Sequence, residues 1–429
     1  MLPNMKQDAI TVLVIEDQRV FAQMLKTLLQ RRFASHVLLA SHLEQANRLL
    51  EQHHEQIDIA ICDLHLPDGR NLEVISAVEK YDIPIIAMTG KFPEELRGEL
   101  LQRKVVDYVL KESFTSFDYV LGLVQRLCRN KSIKALIVDD SASSRMLLHA
   151  HLNQQCIQAE LAVDGVQGLA ILEKNPEISL ILVDHEMPKM NGMQFTAEVR
   201  KRHSKEQLAI IGISASANDK LSARFLKHGA NDFLSKPFSY EELLCRVSQN
   251  LDMLDLIQRN RLAAISDYLT GLYNRRYFFG YSAQLLEKRE ELGWIFLAMI
   301  DIDFFKKIND QYGHLIGDQA LIQTAKHLRE LFPDDFISRL GGEEFVILFQ
   351  NKSSASVAAA LETFRQRQQA SALALGDGLH LTVPVSIGCA MLRADHTLDQ
   401  LLDEADKLLY QAKENGRNQL IMPAFTQAA

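Results

Sequence analysis

No Cys-x-x-Cys spacing occurs in this chain, and its five cysteines (Cys62, Cys128, Cys156, Cys245 and Cys389) are scattered and odd in number. That excludes a disulfide framework and a thiolate zinc site, and fits reduced thiols in a cytoplasmic protein. No apolar run approaches the roughly 18 residues needed to cross a bilayer. The opening MLPNMKQDAITVLVIEDQ also lacks the basic start, apolar middle and small-residue cleavage site of a signal peptide. A cytoplasmic protein with no membrane partner is expected. Positive charge is in short supply, with 47 Lys+Arg against 55 Asp+Glu and a net charge of −8. That balance argues against a general nucleic-acid-binding surface. What is present is an ordinary globular mixture, 47% hydrophobic and 24% charged over 429 residues, long enough for about three domains.

The chain repeats itself once at domain scale. AITVLVIEDQ at 9–18 returns as IKALIVDDSA at 133–142, and IDIAICDLHLPDG at 57–69 as ISLILVDHEMPKMNG at 178–192. IPIIAMTG at 83–90 returns as LAIIGISAS at 208–216, and VDYVLKES at 106–113 as ANDFLSKPF at 230–238. Asp63 and Asp184 lie 121 residues apart, Lys111 and Lys236 125 apart. A period that long marks a duplicated domain, not a solenoid.

Each copy alternates β-branched runs with helical stretches, which predicts a parallel, doubly wound α/β sheet of five βα units. Function in such sheets gathers at the C-terminal strand ends. The polar residues fall there: Glu16, Asp17, Asp63, Thr89 and Lys111 in the first copy, Asp139, Asp140, Asp184, Ser214 and Lys236 in the second. Three carboxylates at one edge repel one another unless a hard cation such as Mg²⁺ (or Mn²⁺) sits among them. The lone Asp is then a nucleophile toward a phosphoryl group, and the lysine and hydroxyl contact its oxygens. A single Asp is more often a helix or strand cap; five matching positions occurring twice are not.

On these residues the chain resembles the flavodoxin-like receiver domain of bacterial response regulators over about 8–128 and 132–251. The resemblance implies that Asp63 and Asp184 accept phosphate from a histidine kinase or phosphotransfer protein. It also implies that Thr89 with Tyr108, and Ser214 with Phe233, form the switch. The first copy departs from the pattern. Lys111-Glu112 stands where the second copy keeps Lys236-Pro237, so Lys111 is expected to be held less firmly than Lys236. Asn71 replaces the loop glycine kept as Gly192, a mild change because Asn tolerates the left-handed region. Both copies are expected to be phosphorylated.

Leu244, Val247, Leu251 and Leu254 follow 3–4 spacing, and Leu262 and Ile265 continue it. The last helix of the second copy is thus expected to run on as an amphipathic stalk, paired with a second subunit or packed on its own domain.

Beyond it, an apolar strand ends in Asp301-Ile302-Asp303 and leads through a polar loop to a helix expected near Gly317. DFISRL and EFVILF read as two strands joined by Gly341-Gly342, a two-residue turn that glycine's freedom at positive φ permits. If that hairpin flanks the first strand, Glu343 and Glu344 approach Asp301 and Asp303, a cluster that is costly without metal ions. GGEEF alone reads as a solvated hairpin tip. With DIDFFKKINDQYGHLIGD and ADKLLYQAKENGRN in order, it resembles the GGDEF domain of diguanylate cyclases over about 262–425.

That resemblance implies a palm-like α/β fold that condenses two GTP into cyclic di-GMP, with Mg²⁺ (or Mn²⁺) as cofactor and a homodimer as the active state. Position by position, Asp301, the Ile302 carbonyl and Glu343 hold metal, Glu344 assists, and Glu343 also acts on the 3′-hydroxyl. Phe304 and Phe305 offer backbone amides to phosphate, and Asn309 and Asp318 read guanine with His314 nearby. Lys306, Lys413 and Arg417 neutralise phosphate. The product-binding RxxD window reads Phe332-Pro333-Asp334-Asp335, so weak or absent product inhibition is expected. The expected layout is receivers at 1–130 and 131–251, a helical linker at 252–266 and the cyclase domain at 267–429. The rival readings are a phosphorelay scaffold and a nucleotide-binding signalling module.

Overall fold

The computed structural model describes residues 10–69, 72–90, 103, 105–111, 114–215, 219–287, 293–376, 379–393 and 396–423. The chain forms two compact units, one running to Gln258 and the other from Arg259.

The first unit holds two parallel five-stranded sheets. One contains β1 (Ile10–Ile15), β2 (Ser35–Ala40), β3 (Ile59–Asp63), β4 (Ile85–Thr89) and β5 (Val105–Leu110), in the order β2-β1-β3-β4-β5. The other contains β6 (Lys134–Val138), β7 (Gln158–Ala162), β8 (Ile178–Asp184), β9 (Ala209–Ser214) and β10 (Asp232–Ser235), in the same relative order. The near-continuous apolar strands follow from burial on both faces. Val12, Val14, Ile59 and Ile61 enter one core, while Leu13, Ile15, Ala60 and Cys62 enter the core on the opposite face. The first strand of each sheet, ITVLVI or KALIV, therefore delivers its following acids to the C-terminal edge.

A 26-residue helix, Tyr240–Ile265, closes the second domain and continues without a break through the expected stalk. Its buried stripe is Leu243, Val247 and Leu251. The apolar line thus begins at Leu243, one position before Leu244, which is only half-buried.

The second unit is built on a mixed six-stranded sheet and a two-stranded ribbon. The sheet contains β11 (Tyr273–Asn274), β12 (Ile295–Ile302), β13 (Phe336–Gly341), β14 (Glu344–Gln350), β17 (Val385–Met391) and β18 (Leu420–Ile421), in the order β11-β13-β14-β12-β17-β18, and the ribbon pairs β15 (Ala372–Gly376) with β16 (Leu379–Thr382). Every residue of β12 is buried, because it lies between antiparallel β14 and β17 with helices on both faces.

Two local expectations change here. The stretch after β12 is not a loop but a helix, Phe305–Tyr312, broken at Gly313 (φ 82°) and followed by a second helix, His314–Leu331. The hairpin turn is Gly342-Glu343, not Gly341-Gly342. Gly341 pairs with Glu344, and a register shift between Arg339 and Gly341 consumes one residue before the turn. Both glycines still have positive φ, 151° and 53°. Among the described residues no helix is long and apolar enough to cross a membrane.

Candidate active and phosphoacceptor sites

In the first receiver-like domain, β1 and β3 bring Glu16, Asp17 and Asp63 together. Theirs is the one trio among the described residues whose donor atoms gather within 4.8 Å of one another. Lys111 reaches over from the end of β5 and donates to Glu16 Oε2 and Asp63 Oδ2, both at 2.6 Å. Burial raises the Glu16 pKa, with Lys111 pulling the other way. The Lys111 ammonium also stands 5.5 Å from the Phe21 ring centroid. The Lys111 side chain is 4% exposed and that of Lys236 26%; two carboxylates and an aromatic face surround Lys111. Thr89, at the end of β4, is fully buried and lies 3.3 Å from His65 Nδ1. Tyr108 sits half-buried on β5. Asn71 and Glu112 lie outside the described residues.

The second domain repeats the plan with different neighbours. Lys236 donates to Asp139 Oδ2 at 2.9 Å and Asp184 Oδ1 at 2.6 Å, and the Lys236–Pro237 bond is cis. Ser144 occupies the place that Phe21 takes in the first copy, and its hydroxyl donates to Asp139 Oδ2 at 2.6 Å. Burial raises the Asp184 pKa against the pull of Lys236. Asp140 is exposed, Ser214 is buried at the end of β9, and Phe233 packs 5.5 Å from Phe225. A cleft of about 530 Å³ opens at this edge, lined by Asp140, His185, Glu186, Met187, Pro188 and Asn191.

The third constellation lies where β12 and the β13–β14 turn meet. Asp301 is the register partner of Glu344 and is 6% exposed. Burial drives its pKa up to about 6, helped by Glu343 and Glu344 and opposed by Lys413. Lys413 Nζ lies 2.8 Å from Asp301 Oδ2. A buried carboxylate with two more acids nearby, the Ile302 carbonyl next in the chain and one lysine as counter-charge has the donor chemistry of a hard-cation site, but its three carboxylates do not gather within 4.8 Å as those of the first receiver-like domain do. Asp303 does not join it. Its carboxylate faces away, accepting from the Ser386 hydroxyl at 2.8 Å and the Asn418 N–H at 2.9 Å. The expected four-acid cluster is thus Asp301, Glu343 and Glu344 alone.

Phe304 (φ 59°) turns the chain into the helix Phe305–Tyr312. The first-turn amides of that helix have no acceptor within it, as at any helix start. Lys306 and His314 are exposed, and Asn309 and Asp318 are half-buried on the two successive helices. Gly317 was missed as a functional residue. A Cβ there would lie 1.9 Å from Asn309 Oδ1, so the glycine makes room for the Asn309 side chain; glycine inside a helix was the available signal. Arg339 was also missed. It donates to the Gly342 carbonyl through Nε at 2.9 Å and through a terminal nitrogen at 2.7 Å, and to Asp267 Oδ1 at 3.0 Å, bracing the turn. Phe332 is a core residue, edge-on to Phe349 and Phe364, and Asp335 is paired with Lys352 at 2.6 Å. Arg417 and Lys413 flank the same end of the sheet, the latter in the last turn of the helix Leu398–Glu414.

Known proteins resemble all three domains of the chain. Residues 12–116 and 135–248 match the response regulator receiver domain, and residues 264–419 match the GGDEF domain of diguanylate cyclases. The response regulator PleD of Caulobacter vibrioides is 28% identical over 455 residues, covering 96% of this chain and 98% of PleD. Diguanylate cyclase A of Treponema denticola is 36% identical, over 37% of this chain and 44% of that protein. A crystal structure of a two-component system response regulator/GGDEF domain protein is 39% identical with a TM-score of 0.53. It covers 57% of this chain and 99% of that one.

Proposed function

The chain belongs to the response regulators that carry two receiver domains and a GGDEF diguanylate cyclase domain, and from that premise we propose that it is a phosphorylation-regulated diguanylate cyclase. The reaction joins two GTP into cyclic di-GMP with loss of two pyrophosphates. Each step forms a bond from a 3′-oxygen to an α-phosphorus and breaks the α–β phosphoanhydride. The observation that carries this reading is the buried Asp301 beside Glu343 and Glu344, opposed by Lys413.

Asp301, the Ile302 carbonyl and Glu343, with Glu344 beside them, would hold Mg²⁺ (or Mn²⁺), which supplies charge neutralisation at the reacting phosphates. Glu343, at the tip of the turn, takes or orients the 3′-hydroxyl proton. The Phe304 and Phe305 amides, Lys306, Lys413 and Arg417 bind the triphosphate, where fixed donors stabilise charge developing on the leaving pyrophosphate. Asn309 and Asp318, with His314 close by, select guanine. The catalytic turn serves one GTP per chain, so a two-fold dimer that faces two such sites completes the product.

Asp63 and Asp184 are the proposed phosphoacceptors, each with its acid pair, lysine and switch hydroxyl, and a histidine kinase or phosphotransfer protein is the donor class. Phosphorylation would favour one dimer and so raise the effective concentration of one loaded site for the other. The proposed boundaries are receivers at 1–130 and 131–251, a linker at 252–266 and the catalytic domain at 267–429, in keeping with the matched spans and the continuous helix.

The test is cyclic di-GMP synthesis from GTP and Mg²⁺, with and without beryllofluoride, in wild type, Asp63→Asn and Asp184→Asn. The mimic should raise specific activity at low protein concentration, and removing the responsible acceptor should abolish that rise. Purified wild type that makes no cyclic dinucleotide under either condition sinks the reading.

A further inference from the structure

We propose that Asp303 is a positioning residue for Arg417, anchoring the turn that carries it while the Phe304 ring serves as the platform for its guanidinium. The inference rests on the diguanylate cyclase reading for the identity of the ligand, a nucleotide triphosphate.

Asp303 follows the end of β12 and is 2% exposed. Its N–H donates to the Pro384 carbonyl at 2.9 Å. Oδ1 accepts from the Ser386 hydroxyl and Oδ2 from the Asn418 N–H, so each carboxylate oxygen has a protein donor. Asn418 follows Arg417 in the chain as Phe304 follows Asp303, and this second pair meets too. The Arg417 guanidinium carbon lies 4.6 Å from the Phe304 ring centroid, with Lys307 Nζ 4.7 Å from the same ring. Two adjacent residues of one segment thus grip two adjacent residues of the other.

The backbone explains why a grip is needed. Phe304, Arg417 and Asn418 have φ of 59°, 65° and 47°, a region that Asn tolerates but that Phe and Arg rarely adopt without support from their surroundings. Arg417 N–H donates to the Ala412 carbonyl at 3.0 Å. One terminal nitrogen of Arg365 donates to the Asn418 carbonyl at 3.0 Å and to its Oδ1 at 2.9 Å. Asp303 is the anchor that ties this turn to the strand carrying Asp301 and Ile302. A guanidinium resting on an aromatic face keeps its N–H edges free for phosphate oxygens. Holding it there before the ligand arrives reduces the ordering cost of binding.

The experiment uses the full chain, Mg²⁺ and α,β-methylene-GTP as the probe, measured by calorimetry. Asp303→Ala and Arg417→Ala should each weaken binding about tenfold or more. The double variant should be no worse than the poorer single one, because both remove the same contact. Asp303→Asn should stay within about threefold of wild type, since its carbonyl can still accept from Asn418 N–H and its amide can donate to Ser386 Oγ. If Asp303→Ala does not fold, Ser386→Ala and Phe304→Leu carry the same prediction at smaller size. A second arm needs no nucleotide: trypsin should release residues 418–429 faster from Asp303→Ala than from wild type or Asp303→Asn. Folded Asp303→Ala that binds like wild type, Asp303→Asn as poor as Asp303→Ala, or equal trypsin rates each overturn the proposal. Wild type that binds the probe yet makes no cyclic di-GMP overturns the proposed reaction and leaves these comparisons to decide this inference.

Discussion

Replacing Gly317 by alanine separates a binding defect from a folding defect. The new Cβ would stand 1.9 Å from Asn309 Oδ1 and 3.0 Å from Asn309 Cγ, with Phe305 Cζ at 3.4 Å. The severe clash is with the end of a side chain, not with backbone, so Asn309 can swing aside and the fold survives. Alanine inside a helix gains up to about 1 kcal/mol over glycine, and the melting temperature should hold or rise. The guanine edge pays instead: losing the Asn309 contacts and leaving a polar group unpaired costs about 1–3 kcal/mol, roughly a 5- to 150-fold loss of GTP affinity. Calorimetric titration with α,β-methylene-GTP, beside thermal melts, reads both quantities. Asn309→Ala should reproduce the affinity loss, and adding Gly317→Ala to it should change little. Wild-type affinity in Gly317→Ala, or a loss of affinity matched by a fall in melting temperature, would refute the reasoning.

Three further outcomes follow from the same geometry. Cyclic di-GMP should not inhibit tightly through the Asp335 position, because Phe332 is core and Lys352 occupies the carboxylate; noncompetitive inhibition that disappears in Asp335→Ala would contradict this. Asp301, with its pKa raised to about 6 by burial, binds a proton more tightly folded than unfolded, so its ionisation opposes folding as pH rises from about 4 through 6. Asp301→Asn should therefore abolish synthesis yet stabilise the metal-free protein at pH 7.5, by up to about 3 kcal/mol, with the gain shrinking toward pH 4; a lower melting temperature at pH 7.5 would count against the assignment. Arg339→Met should lower kcat about tenfold or more with little change in the affinity for GTP, since it frees the Gly342 carbonyl and the turn carrying Glu343; unchanged kcat would show that the turn holds without its brace.

Much of this protein is determined by local sequence. Apolar runs buried on both faces can only be central strands of a covered sheet, so the acids that follow ITVLVI and KALIV, and those that end IAICD and ISLILVD, must emerge at the C-terminal edge of each sheet. The duplicated spacing of acid, hydroxyl and lysine needs no coordinates to be read. Tertiary structure decided what lies between elements. Asp301 and Asp303 are two residues apart and would share a strand face. The strand ends at Ile302 and the chain turns left-handed at Phe304, which sends one carboxylate into the acid cluster and the other to Ser386 and Asn418. Lys111 meets Glu16, Asp63 and Phe21, all distant from it in sequence. Gly317 matters because the helix before it folds back and presses Asn309 against its backbone. Periodicity and motif report the environment along one element; which side chain faces which is set by packing between elements, and that is where these contacts were made.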